Sequence, residues 1–169
     1  NELDALVNID LDRRVYLEKL KSLNIIRIGT SGTIQADIPI DSILVSEYAV
    51  GLDALMAFYT YEASREEKAI LRAINSQAPA FKSFKPYVCA GSKLLLRKIG
   101  KDLPRGITVT APGFYAPQGR ELRFTKTIPN FIKQLSGIKK DNWRLTNLEM
   151  ETSGIYGLAN ILGHQAISV

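Results

Sequence analysis

Histidine, cysteine and tryptophan each occur once in these 169 residues, as His164, Cys89 and Trp143. A single cysteine excludes an intramolecular disulfide and a thiolate metal cluster. A single histidine excludes a multi-histidine metal site. No run approaches the roughly 20 apolar residues that a membrane helix needs, and no basic-then-apolar leader opens the chain. The expectation is a cytoplasmic protein with no metal and no membrane partner. Low-complexity tracts, internal repeats and linkers are also missing, so residues 1–169 read as one domain. The 22 Lys and Arg outweigh 17 Asp and Glu, for a net charge of +5. These cations are scattered through "KSFK", "LLLRKIGK" and "IKK" rather than gathered among aromatics, so nucleic acid is not an expected partner.

What is present is ordinary for a globular chain: 46% hydrophobic and 23% charged residues, enough for one core. The first residues already carry helical spacing, with Leu3, Leu6 and Val7 at i, i+3 and i+4. The last five, "QAISV", form an apolar strand-like run with no turn after it. A free strand edge is an aggregation liability, so the sequence reads as a segment truncated at both ends.

Between these ends, helical and extended patterns alternate. "DRRVYLEKLKSL" predicts a helix with Val15, Leu17, Leu20 and Leu23 inward, feeding the strand "NIIRIG". "SILVSEYAV" predicts a strand over 42–50 after the turn-like "ADIPID". "SREEKAILRAINSQ" is a helix opened by a Ser64–Glu67 capping box, with Ala69, Ile70, Ala73 and Ile74 as its apolar stripe. The strand "KPYVCAG", the helix "SKLLLRKIG" ending at Gly100, the strand "GITVTAP" and the helix "NFIKQLSGI" follow. "RLTNLEM" then runs as a strand into the helix "ETSGIYGLANILGH". The class is α/β: three layers, α/β/α, around a mixed, largely parallel sheet.

Three stretches at predicted strand ends carry chemistry, and ligands of open α/β sheets gather there. In "NIIRIGTSG", Arg27 is a permanent cation within an apolar run. An unpaired buried guanidinium costs several kcal/mol, so it needs an anionic partner or an open crevice. Gly29 and Gly32 let backbone approach a ligand, and Thr30 and Ser31 add hydroxyls. The set reads either as an anion cradle, most often for phosphate, or as a tight turn with Arg27 paired to a structural carboxylate.

In "TAPGFYAPQGRELR", Phe114 offers an aromatic face. Gln118 offers an acceptor and two donors, and Arg120 donors alone. The pair can read a planar imide edge, or the stretch is a solvated loop with Phe114 tucked inward. In "LTNLEMETSG", Glu149 and Glu151 flank Met150 where a strand becomes a helix. A carboxylate there either suits the helix N-terminus or accepts hydrogen bonds from a sugar diol. His164 reads as a helix C-terminal residue, Cys89 as a small core hydrophobe and Trp143 as packing at the sheet rim.

Together "IRIGTSGTIQ", "GFYAPQGR" and "NLEMETSGIYGL" resemble the nucleoside phosphorylase superfamily, over essentially the whole chain and in order, with uridine phosphorylases the nearest group. The Arg-x-Gly-Thr and Glu-Met-Glu motifs are broad in that superfamily. Phe-Tyr-x-x-Gln-x-Arg is narrower and points to pyrimidines. The resemblance implies phosphorolysis of uridine to uracil and ribose 1-phosphate, a pyrimidine-salvage reaction, with inorganic phosphate as co-substrate and no cofactor. It places Arg27, Gly29 and Thr30 at phosphate. Phe114, Gln118, Arg120, Ser31 and Gly32 fall around the base, and Met150, Glu151 and Glu149 at the ribose. Arg27, Gln118 and Arg120 would carry catalysis, in a homo-oligomer (dimer or hexamer). Purine phosphorolysis, hydrolytic cleavage and a non-catalytic nucleoside-binding remnant are the alternatives. Family members extend further at both ends: upstream with a glycine-rich phosphate loop and another arginine, downstream in purine-specific and nucleosidase relatives with an aspartate that protonates the leaving base.

Overall fold

A computed structural model describes all 169 residues. Five helices and ten strands follow one another, α1 (Glu2–Asn8), β1 (Ile9–Asp10), β2 (Val15–Tyr16), β3 (Asn24–Arg27), β4 (Gly32–Thr33), β5 (Val45–Gly51) and α2 (Arg65–Gln77) forming the first half. The second half holds β6 (Tyr87–Ala90), α3 (Lys93–Lys98), β7 (Arg105–Thr110), α4 (Phe131–Gly137), β8 (Lys139–Lys140), β9 (Trp143–Glu149), α5 (Thr152–Leu162) and β10 (Gln165–Ser168).

The main sheet has the order β4–β9–β7–β5–β6, with β8 against the start of β9. Its central pairs, β5–β7 and β7–β9, are parallel, and the edge pairs β4–β9 and β5–β6 are antiparallel. The class is therefore α/β with a mixed, mostly parallel sheet, as the alternation of patterns predicts. Buried runs in β5, β7 and β9 reflect cover on both faces. On one face, Ile70 and Ile74 of α2 and Phe131 and Leu135 of α4 pack over Val50, Val109 and Leu145. On the other lies α5, whose Tyr156 and Ala159 meet Ala49 and Cys89. Beside it, Leu95 and Leu96 of α3 pack on Val45 and Ile167.

The capping box of α2 forms as the sequence predicts: the Ser64 hydroxyl accepts from the Glu67 backbone N–H, and the Glu67 carboxylate accepts from that of Ser64. The C-terminal run is not a free strand. It pairs in parallel with β3, setting Ser168 opposite Arg27, and the Val169 N–H donates to the Arg27 carbonyl.

The helix expected over 12–23 does not form. The Asp10 carboxylate accepts from the backbone N–H groups of Asp12 and Arg13, turning the chain at its first step. Arg14 adopts φ +57°, and Val15–Tyr16 folds back onto Ile9–Asp10 as a hairpin. Asn8 ties down the following stretch through both backbone groups of Lys21. Val15, Leu17 and Leu20 consequently lie exposed rather than inward.

Candidate functional site

Parallel pairing brings the carboxyl ends of β7 and β9 side by side, with Thr110 opposite Glu149. Glu149 is buried, and both its oxygens are occupied. Oε1 accepts from the Thr110 hydroxyl at 2.6 Å. Oε2 accepts from the backbone N–H groups of Glu151 and Thr152 at 2.9 and 2.8 Å and from the Thr152 hydroxyl at 2.8 Å. The carboxylate thereby caps the start of α5, where the helix dipole favours negative charge. The reading of this stretch as a helix-terminus carboxylate describes Glu149.

Arg27 completes the cluster. Its Nη2 lies 2.5 Å from Glu151 Oε2 and 3.4 Å from Glu149 Oε2, and its Nη1 donates to Ser168 Oγ at 3.3 Å. The partly buried cation has the anionic partners its position requires. Hydrogen bonds to Glu151 and Ser168 use two of its five N–H donors. Gly29 explains how the side chain folds back. A methyl at its α-carbon would meet the guanidinium at 2.6–2.8 Å, so the space expected to admit a ligand holds the Arg27 head group. At Gly32 the corresponding space is open.

Arg27, Gly29, Thr30, Ser31 and Gly32 line one cavity of about 620 Å³, floored by Ser46, Thr108, Asn147, Glu149 and Ser168. The sequence reading did not single out Ser46, Thr108, Asn147 or Ser168. Their signal is polar side chains in strands that are otherwise apolar, as in "ITVT" and "LTNLE".

Phe114, Gln118 and Arg120 form a second cluster. The Arg120 Nη1 donates to Gln118 Oε1 at 2.6 Å and to the Phe114 carbonyl at 2.7 Å. Its guanidinium carbon stands 3.9 Å from the centroid of the Phe114 ring. Gly119 takes φ +75° between them, a conformation that favours glycine. Gln118 is buried while Phe114 is half exposed. With its oxygen engaged, Gln118 presents its amide N–H groups beside the remaining Arg120 donors, an array suited to carbonyl oxygens or a developing anion.

The two clusters spring from adjacent strand ends, since the 111–120 loop leaves β7 directly after Thr110, and the Ala111 N–H donates to the Glu149 carbonyl at 2.9 Å. Phe114, Gln118 and Arg120 lie outside the lining of the Arg27 cavity, as do Met150 and Glu151. Pro112, Ala116 and Pro117 instead edge an apolar pocket of about 220 Å³ with Leu52, Phe84 and Phe131. Met150 and the Glu151 carboxylate are partly exposed at the start of α5. Cys89 is fully buried, with its thiol pushed up to about 12 by that burial. It packs as a small hydrophobe.

The guanidinium–carboxylate cluster sits at the strand ends of a sheet covered on both faces, where open α/β sheets gather their ligands. The model of the Phosphorylase superfamily matches residues 7–169, and the chain belongs to that superfamily. It is 27% identical over 158 residues to a uridine phosphorylase of Thermococcus kodakarensis, covering 90% of this chain and 50% of the relative. The chain thus spans about half the length of the curated relative it matches. Its fold is similar to that of a Trypanosoma brucei nucleoside phosphorylase described as showing uridine phosphorylase activity (TM-score 0.86, 27% identity, 99% of this chain and 63% of that one). A Streptococcus pneumoniae MTA/SAH nucleosidase shares the fold at 14% identity, with TM-score 0.52, 97% of this chain and 57% of that one.

Proposed function

We propose that the chain carries the nucleoside-binding side of a uridine phosphorylase, which cleaves uridine with inorganic phosphate to give uracil and ribose 1-phosphate. The observation that carries this reading is Arg27, held by Glu149 and Glu151 at a cavity lined by Gly29, Thr30 and Ser31. Breaking the N-glycosidic bond leaves its electron pair on the base and positive charge on the sugar. Phosphate oriented by the spare Arg27 donors forms the new bond to the sugar carbon, and uracil takes up the proton that phosphate releases. Arg120 and Gln118 stabilise the departing base, as donors aimed where charge develops. Glu151, half exposed, is the carboxylate open to the ribose diol, with Met150 beside it, while Glu149 holds Arg27 and Glu151 in place.

The reading calls for no metal or organic cofactor. It includes a homo-oligomer, supported by exposed Leu3, Leu6, Tyr16 and Leu20 near the N-terminus. It also includes a cytoplasmic setting, supported by the single thiol cysteine; no helix is long and apolar enough to cross a membrane.

One observation favours a second reading. Two carboxylates against one guanidinium reduce the attraction for phosphate, as suits a nucleosidase that uses water. Product analysis separates the two, because ribose 1-phosphate forms only in phosphorolysis.

A further inference from the structure

Strand β10 frames Arg27. Parallel pairing sets Ser168 of β10 opposite Arg27 of β3. Paired residues of neighbouring strands direct their side chains to the same face, so the two meet. The backbone on either side is held as well. The Val169 N–H donates to the Arg27 carbonyl, and the Gly29 N–H donates to the Val169 carbonyl. The strand thereby fixes both the backbone that carries the guanidinium and one edge of the head group.

Ser168 is built into the structure, at 2% exposure. Its backbone N–H donates to the Tyr156 hydroxyl at 2.8 Å, and the fully buried Tyr156 donates onward to the Ser46 carbonyl at 2.7 Å. The Ser168 Oγ accepts from the Thr152 hydroxyl at 3.1 Å and from Arg27 Nη1 at 3.3 Å. A guanidinium has donors only, so the direction of that last bond is settled by chemistry.

The carboxylate contacts of the head group both fall on Nη2, which faces Glu149 and Glu151. Contacts at one nitrogen leave a planar group free to turn about it. A second contact, at Nη1, fixes the plane and with it the direction of the remaining N–H donors. A third carboxylate would do the same only by cancelling more of the charge that an anion needs. A hydroxyl orients the head group and leaves that charge intact. Ser168 and Arg27 also line one cavity. We infer that Ser168 is a positioning residue for phosphate binding, one that locks the plane of the Arg27 guanidinium so that its spare donors face the cavity. This rests on the phosphorolytic reading above. Ser168 acts through Arg27 and needs no contact of its own with phosphate.

The test is calorimetric titration of the full chain with inorganic phosphate and, separately, with uridine, for wild type, Ser168→Ala and Ser168→Thr, beside their melting temperatures. Ser168→Ala removes Oγ alone and leaves the backbone pairing of β3 with β10 in place. The expected result is a fall of about fivefold in phosphate affinity, within the range of a single hydrogen bond, with uridine affinity held within about twofold. Ser168→Thr keeps a hydroxyl and should bind phosphate within about twofold of wild type. Where its added methyl lowers the melting temperature, the contrast between phosphate and uridine in Ser168→Ala decides. Equal losses for both ligands in Ser168→Ala mark a general disturbance of the sheet and overturn the inference. So does a Ser168→Thr no better than Ser168→Ala at the wild-type melting temperature. A Ser168→Ala that binds phosphate like wild type, when wild type binds both ligands, overturns the inference alone. A wild type that binds uridine but no phosphate overturns the phosphorolytic reading and the inference with it.

Discussion

The guanidinium of Arg27 rests over the α-carbon of Gly29, where a methyl group would come within 2.6 Å of Nη1. The arginine head that meets Glu149 and Glu151 thus occupies the space a side chain at residue 29 would take. Gly29→Ala should push the flexible arginine head off both carboxylates while sparing the sheet. The expected outcome is a melting temperature within a few degrees of wild type and phosphate affinity reduced about tenfold or more. Differential scanning calorimetry and phosphate titration check the two halves.

Glu149 and Glu151 both hold Arg27, but only Glu149 supports the fold. Its side chain is 2% exposed, against 53% for Glu151. Glu149→Ala strips partners from Thr110, Thr152, two backbone N–H groups and Arg27, and should cost about 3 kcal/mol or more. Glu151→Ala should change stability by no more than about 0.5 kcal/mol. Urea unfolding of the two variants measures the contrast.

Arg120 binds Gln118 through its oxygen and lies against Phe114. If it stabilises the leaving base, Arg120→Ala lowers kcat/KM for uridine by about 10²-fold, the loss typical of a single transition-state donor. Near-full uridine turnover in that variant would remove Arg120 from the chemistry.

Alkaline stability follows from burial. The Cys89 thiol is pushed up to about 12 from 9.0, chiefly by burial, and burial likewise raises the phenols of Tyr61, Tyr87 and Tyr156 above their usual 10.0. Above pH 9 the unfolded chain releases protons that the folded chain retains. The stability these groups contribute is therefore complete below pH 9 and declines as pH rises from 9 toward 12. The urea midpoint should fall steadily over that window. At pH 8 a thiol reagent should leave Cys89 unmodified until the protein is unfolded.

Much of this fold is legible in period and punctuation. The stripe Ile70, Ala73, Ile74 behind a Ser64–Glu67 box specifies α2 locally, and the apolar run around Val109 specifies a strand buried on both faces. The failure at 12–23 is equally physical. Leu17, Leu20 and Leu23 have helical spacing, but the Asp10 turn and the grip of Asn8 on Lys21 override it. Both depend on contacts that spacing does not encode.

In the site, residue type revealed that Arg27 needs a carboxylate, but not which one. The pairing with Glu149 and Glu151, over 120 residues away, is created by the sheet. Gly29 was readable as a residue permitting close approach, yet what approaches is the chain's own arginine. Ser168 escaped notice because a lone hydroxyl in a strand carries no motif. Its meaning lies in the register that sets it opposite Arg27.

The central claim is that a phosphate held at Arg27 is a reactant. Incubating the full chain with uridine, with and without inorganic phosphate, and resolving the products by chromatography tests it most directly. The account predicts uracil and ribose 1-phosphate in equal amounts, and neither without phosphate. Uracil released with free ribose, at a rate indifferent to phosphate, would contradict it.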